Sequence, residues 1–179
     1  MKISNLLSYT MFLTISAATL TSCSTPDAQR YSNNIPKLQI QNFFNKNIHA
    51  HGIVLDRSGV LTRSFSIQMH GKWHGQQGLL QEQINYNDGK SQNREWNFVF
   101  SDPHHFTAEA KDAIGSAHGT QYGNSVHMVY TLNVPVDNTS YDINFDDWLY
   151  MTTGGKVINY TTLSKFGISL GKVIITYDR

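Results

Sequence analysis

Charge is scarce in this chain: 15% of its 179 residues are Asp, Glu, Lys or Arg, against about 25% in an average soluble domain. The formal net charge is +1, so nothing electrostatic draws it to nucleic acid. There is one cysteine, Cys23, which excludes an intrachain disulfide framework and any cysteine-built zinc or iron–sulfur centre. Proline is nearly absent, with four residues, while glycine occurs thirteen times and aromatics make up 12%. Few prolines with many glycines and rings suit β-strands joined by tight turns. Beyond residue 36 no segment sustains an amphipathic helical period.

What is present begins with an address. Lys2 precedes an apolar run from Leu6 to Leu20, about 15 residues, long enough for a signal-peptide core and short for a membrane span of roughly 20. Leu20-Thr21-Ser22-Cys23 follows, a leucine, two small residues and the lone cysteine, which resembles the cleavage box of bacterial lipoproteins. The reading is a signal peptide over 1–22, acylation at Cys23, a polar tether over 23–37 with two prolines, and a folded domain over 38–179. Ser24, in place of the aspartate associated with inner-membrane retention, resembles an outer-membrane address facing the periplasm.

From Asn47 the apolar period is two. Leu61, Phe65, Ile67 and Met69 share one face of a strand, and Leu80, Ile84 and Tyr86 repeat the pattern. Trp96, Phe98 and Phe100 follow, then Val126 to Val134 and Tyr141 to Asp147. Turn signals at Asp56–Gly59, Asn87–Gly89, Tyr122–Asn124 and Thr153–Gly155 separate them. The pattern predicts about ten strands, near 47–56, 61–70, 79–87, 92–100, 104–110, 113–121, 125–134, 140–151, 156–165 and 168–177. The fold class is all-β. Ten hairpin-linked strands with one apolar face must curl to cover it, so an antiparallel up-and-down barrel of the lipocalin (calycin-like) type is expected, with a two-sheet sandwich as the other solution. Ser, Thr, Gln and Asn on the alternate faces argue against a membrane-spanning barrel.

Four charges break the pattern. Arg63, Glu82, Arg94 and Asp147 fall on apolar phases, two of each sign. A register slip would instead expose their aromatic neighbours. A three-residue loop of Asp88, Gly89 and Lys90 would set Arg94 opposite Ile84 and Glu82 diagonal to it, at about 7–8 Å. These four, with Tyr86 and Trp96 on the same faces, are the candidate site. They form either a polar plug that fixes closure of the barrel or an anchor for the carboxylate or phosphate of an apolar ligand.

Other constellations are weaker. His49 and His51 share one strand face, but no acidic residue stands at motif spacing, so scattered surface histidines are expected rather than a metal site. No nucleophile elbow or phosphate loop is present. Asp146 and Asp147 are neighbours on a strand and face opposite ways, so they make no acid–base pair. No enzyme activity and no cofactor is expected.

The stretches 51–65, 80–96, 130–136, 145–151 (FDDWLYM) and 164–173 (SKFGISLGKV) together resemble a family of bacterial envelope lipoproteins catalogued as a domain of unknown function. The resemblance covers the chain from about residue 38 to its end. It implies a lipid-anchored, lipocalin-like barrel with no established activity, and genes for fatty-acid-modifying enzymes often lie beside its members. The expectation is therefore a membrane-anchored barrel holding a small apolar or fatty-acyl ligand. The alternative is a structural or accessory lipoprotein with a filled barrel that contacts another envelope component.

Overall fold

A computed structural model describes residues 27–136 and 138–178. The signal segment and Cys23 lie outside the described residues. Ten strands run β1 (Asn47–Asp56), β2 (Leu61–His74), β3 (Gln77–Tyr86), β4 (Ser91–Phe100), β5 (His105–Glu109), β6 (Ala117–Tyr122), β7 (Ser125–Val136), β8 (Thr139–Met151), β9 (Val157–Lys165) and β10 (Ile168–Asp178). Each pairs antiparallel with its chain neighbours, and β1 pairs with β10, so the sheet closes into an up-and-down barrel. Closure gives every strand a partner on both sides over at least part of its length, which is how ten strands with one apolar face cover their core.

Three of the inward glycines on this wall face a ring on the paired strand: Gly52 faces Phe65, Gly78 faces Trp73 and Gly119 faces Phe106. A Cβ at any of them would fall 2.1–2.3 Å from that ring. The rings lie flat over bare backbone, which lets large side chains fill the barrel without bulging the wall.

Up-and-down topology sorts the connections into two ends. One end carries the β2–β3, β4–β5, β6–β7 and β8–β9 turns together with the short helix α1 (Ile40–Phe43). Here Leu38, Ile40, Phe43 and Phe44 are buried, and Phe43 and Phe44 pack edge-on against Tyr177 at 6.3 and 5.5 Å. The carbonyl of Phe44 sits over Gly71, where a Cβ would approach it to 1.8 Å. Gln121, buried on β6, accepts from the Ile40 amide at 3.1 Å and donates to the Pro103 carbonyl at 2.9 Å. This end is plugged. The other end carries the β1–β2, β3–β4, β5–β6, β7–β8 and β9–β10 connections, with no helix across it among the described residues.

Of the stretch read as a tether, residues 27–37 are described, and much of it packs on the barrel's outer wall. Ala28 is buried in a one-turn helix, and the Tyr31 ring meets Trp148 and Tyr150 edge-on at 6.0 and 5.7 Å. Trp148 also stacks on His127 at 4.1 Å. Trp148 and Tyr150 thus form an outer seam that holds the N-terminal strap.

Two local expectations are corrected. The β3–β4 loop is Asn87, Asp88 and Gly89, closed by the Tyr86 amide donating to the Lys90 carbonyl at 2.9 Å. It lies one residue earlier than expected, because Gly89 takes the positive φ of 81° that ends the turn. The register therefore moves, and Glu82 stands directly opposite Arg94 rather than diagonal to it. The strand expected over 113–121 starts at Ala117, because residues 112–114 leave β4 and bond to β7 instead (Ile114 amide to Thr131 carbonyl 2.9 Å, Asn133 amide to Asp112 carbonyl 2.9 Å).

Candidate functional site

That departure opens the wall. Backbone pairing of β4 with β5 stops at Asn97 opposite Glu109, leaving Ser91 to Trp96 without a β5 partner. Side chains span the gap. Asp112 accepts from Arg94 as a bidentate fork, Nε to Oδ1 at 3.2 Å and Nη2 to Oδ2 at 2.9 Å, and from Gln92 Nε2 at 3.0 Å. Arg94 Nη1 also lies 3.8 Å from Glu82. Gln92 accepts in turn from the Tyr86 hydroxyl at 3.2 Å. A cleft of about 1330 Å³ runs beside this gap, lined by Gln83, Asn93, Arg94, Lys111, Asp112 and Ile114 among others.

The second inward group is built on Asp147. Its carboxylate accepts from Thr161 Oγ1 at 2.7 Å, from the Tyr130 hydroxyl at 3.3 Å and from the Asn159 amide. Asn159 and Thr161 lie on the inward phase of β9, which places two donors opposite one acid. Trp96 packs edge-on to Tyr130 at 5.3 Å, and Tyr130 stacks on Phe145 at 5.0 Å. Rings thus separate the two polar groups.

Burial sets the protonation of these acids. It pushes Glu82 up to about 7, against the pull of Arg94, with Asp147 and Asp112 adding to the rise. It also raises Asp147, opposed by its hydrogen bonds from Thr161, Asn159 and Tyr130. Two carboxyls, Glu82 and Asp112, stand against the one guanidinium of Arg94. Arg94 is thereby committed to side chains of its own barrel.

Arg63 stands apart from this network. It lies near the open end, pairs with Asp88 at 2.8 Å and rests over the Tyr86 ring, 3.4 Å from its centroid. Its Nε is buried without a partner. Of the six candidate residues, the structure brings Glu82 and Arg94 into contact and sets Tyr86 at the edge of that network. Asp147 is held by β9 and Tyr130, and Trp96 packs as a buried ring. Sequence reasoning missed Asp112, which follows no alternation. It also missed Asn159, Thr161 and Gln92, although polar residues on an inward phase mark all three.

Burial changes along the inward positions. Toward the plugged end Ile48, Met69, Leu80, Phe98, Val126 and Val157 are all buried. Toward the open end Val54, Phe65, Tyr86, Val134, Phe145 and Leu163 are each only half-buried, although they too point inward. Inside the barrel, a buried apolar floor thus gives way to a half-buried apolar upper wall toward the open end.

Elsewhere, Asp146 faces outward to His127 at 2.9 Å while Asp147 faces inward, as neighbours on a strand must. His104 stacks on Tyr122 at 4.3 Å and His105 pairs with Asp102 at 2.9 Å. Among the described residues no group of three or more His, Cys, Asp or Glu is placed to hold a metal ion. No helix there is long and apolar enough to cross a membrane.

The chain belongs to the family described as Protein of unknown function (DUF3833), whose profile matches residues 17–179. No curated protein matches it.

Proposed function

We propose that this protein is a non-enzymatic, lipid-anchored binding protein of the bacterial envelope that holds a small apolar or fatty-acyl ligand in the upper half of its barrel. The observation that carries this reading is the half-burial of inward apolar residues from Val54 to Leu163 above a closed floor. A one-ended apolar cup with a few convergent polar groups is the usual form of a small-molecule site in a barrel mouth. Cys23, in its lipoprotein-like box, and Ser24 support attachment at the outer membrane, facing the periplasm.

The charge pattern indicates how the ligand lies. The acid excess around Arg94 opposes an anionic head at depth, so the tail points down among Phe65, Tyr130 and Phe145. The head stays at the mouth beside Arg63, whose pairing with Asp88 is open to solvent and exchangeable. Mass spectrometry of organic extracts from the full chain, purified natively out of membranes, tests this. A stoichiometric acyl compound that Arg63→Met reduces severalfold is expected. An extract without one overturns the reading. It would favour the second reading, an accessory lipoprotein with a filled barrel, which is supported by the mutual satisfaction of Arg94, Asp112 and Glu82.

A further inference from the structure

The two hairpins on either side of the β1–β10 seam carry apolar side chains outward at their tips. Phe166 is 88% exposed, and Ile168, Val60 and Leu61 are 58–63% exposed. The β1–β10 pairing runs to Asp56 opposite Gly171, so the tips stand side by side on the rim of the mouth. Phe166 has φ +51° and Gly167 φ +76°, with Lys165 and Ile168 paired around them as a two-residue turn. Asn-Gly holds such a turn with less strain. Neither packing nor backbone preference therefore accounts for phenylalanine at this position.

Arg57 and Lys165 stand on these tips and Lys172 on β10 below them; Lys165 donates to the Asp142 carbonyl at 3.2 Å, and none of the three enters an ion pair among the described residues. The acid on the same tips, Asp56, turns its carboxylate onto its own loop, accepting from the amides of Ser58 and Val60 at 2.9 and 3.0 Å. Lys165 lies 5.3 Å from the Tyr141 ring, which extends the rim to β8.

We infer that this rim is a membrane-docking surface, which sinks Phe166 and its neighbours into the headgroup–acyl boundary of a bilayer bearing anionic lipids. Apolar side chains on separate turn tips, with cations level with them, fit a fluid apolar layer beneath charged headgroups. An aromatic ring flanked by lysine is the residue pair such an interface favours. A folded protein partner would call for a broad complementary face, which narrow tips do not offer. Docking sets the mouth of the cup against the bilayer, where a ligand could pass without crossing water. The surface stands independently of whether the cup is occupied.

The test uses the full chain carrying Phe166→Trp, with wild-type emission subtracted, reconstituted with vesicles of brominated phosphatidylethanolamine and phosphatidylglycerol. Blue-shifted, strongly quenched emission from the added indole is expected. Adding Lys165→Glu with Lys172→Glu to the Phe166→Trp chain should weaken docking to the same vesicles, read by that quenching, by about tenfold or more. Emission that brominated lipid leaves unchanged, while aqueous iodide still quenches it, overturns the proposal. An unaltered near-ultraviolet circular dichroism spectrum shows that each variant keeps the fold.

Discussion

The two ends of the barrel are built from the same kinds of residue and behave differently. At the plugged end Phe43 and Phe44 close over Tyr177, and Gly71 is tucked against the Phe44 carbonyl. At the mouth, Phe65, Tyr86 and Phe145 face the same interior but remain half-buried. Apolar composition therefore does not distinguish core from site in this fold. The difference is what lies above the ring: an α-helical lid at one end, solvent at the other.

Truncation compares the ends most directly. Phe43→Ala should cost about 3–5 kcal/mol, the usual loss for a fully buried ring. Phe145→Ala should cost less, about 1–2 kcal/mol, since part of that ring is already exposed. Denaturant midpoints measure both, and equal losses would mean that the mouth is as dry as the floor.

Charge gives the next contrast. Arg94→Ala leaves Glu82 and Asp112 without their cation inside the wall and should cost about 3–5 kcal/mol. Arg63→Ala removes a solvent-open pair at the mouth and should cost under about 1 kcal/mol. Thermal unfolding separates them, and a large loss from Arg63→Ala would move that residue into the core network.

Acid sharpens the same point. A carboxyl whose pKa rises on folding binds more protons folded than unfolded. Stability therefore falls as pH climbs from 4.5, the ordinary value for Glu82, to about 7, and is level above that. The span corresponds to something on the order of 3 kcal/mol. Asp147 contributes in the same direction. Asp56, Asp88, Asp102 and Asp178 have lowered values, so their contribution is lost only as pH falls through the acid range below 3.8. Stability should therefore rise from pH 7.5 to pH 5, and Glu82→Gln should remove most of the slope. A profile that is flat over this range and unchanged by Glu82→Gln would show that Glu82 is ionised throughout.

Much of this was legible in the chain. Period-two alternation with punctuated turns located all ten strands, most to within two residues, because each strand buries one face and a shifted register would expose it. The inward charges were legible for the same reason, as breaks in a clean alternation. Their partners were less so. Asp112 lies where the chain leaves β5 and bonds to β7, and no local pattern announces a segment that skips its neighbour. The Glu82–Arg94 pairing depended on one residue of loop placement at Gly89. The strap at Tyr31 reads as polar linker because its single ring docks on Trp148, from a strand 117 positions away.

The central claim, an open apolar cup above a closed floor, is tested most directly by titrating the full chain with a dansyl-labelled undecanoic acid. Saturable binding at one probe per chain is expected, abolished by Val54→Trp, which fills the upper wall while leaving the unfolding temperature near that of the wild type. Absence of saturable binding, or binding that Val54→Trp leaves intact, would contradict it.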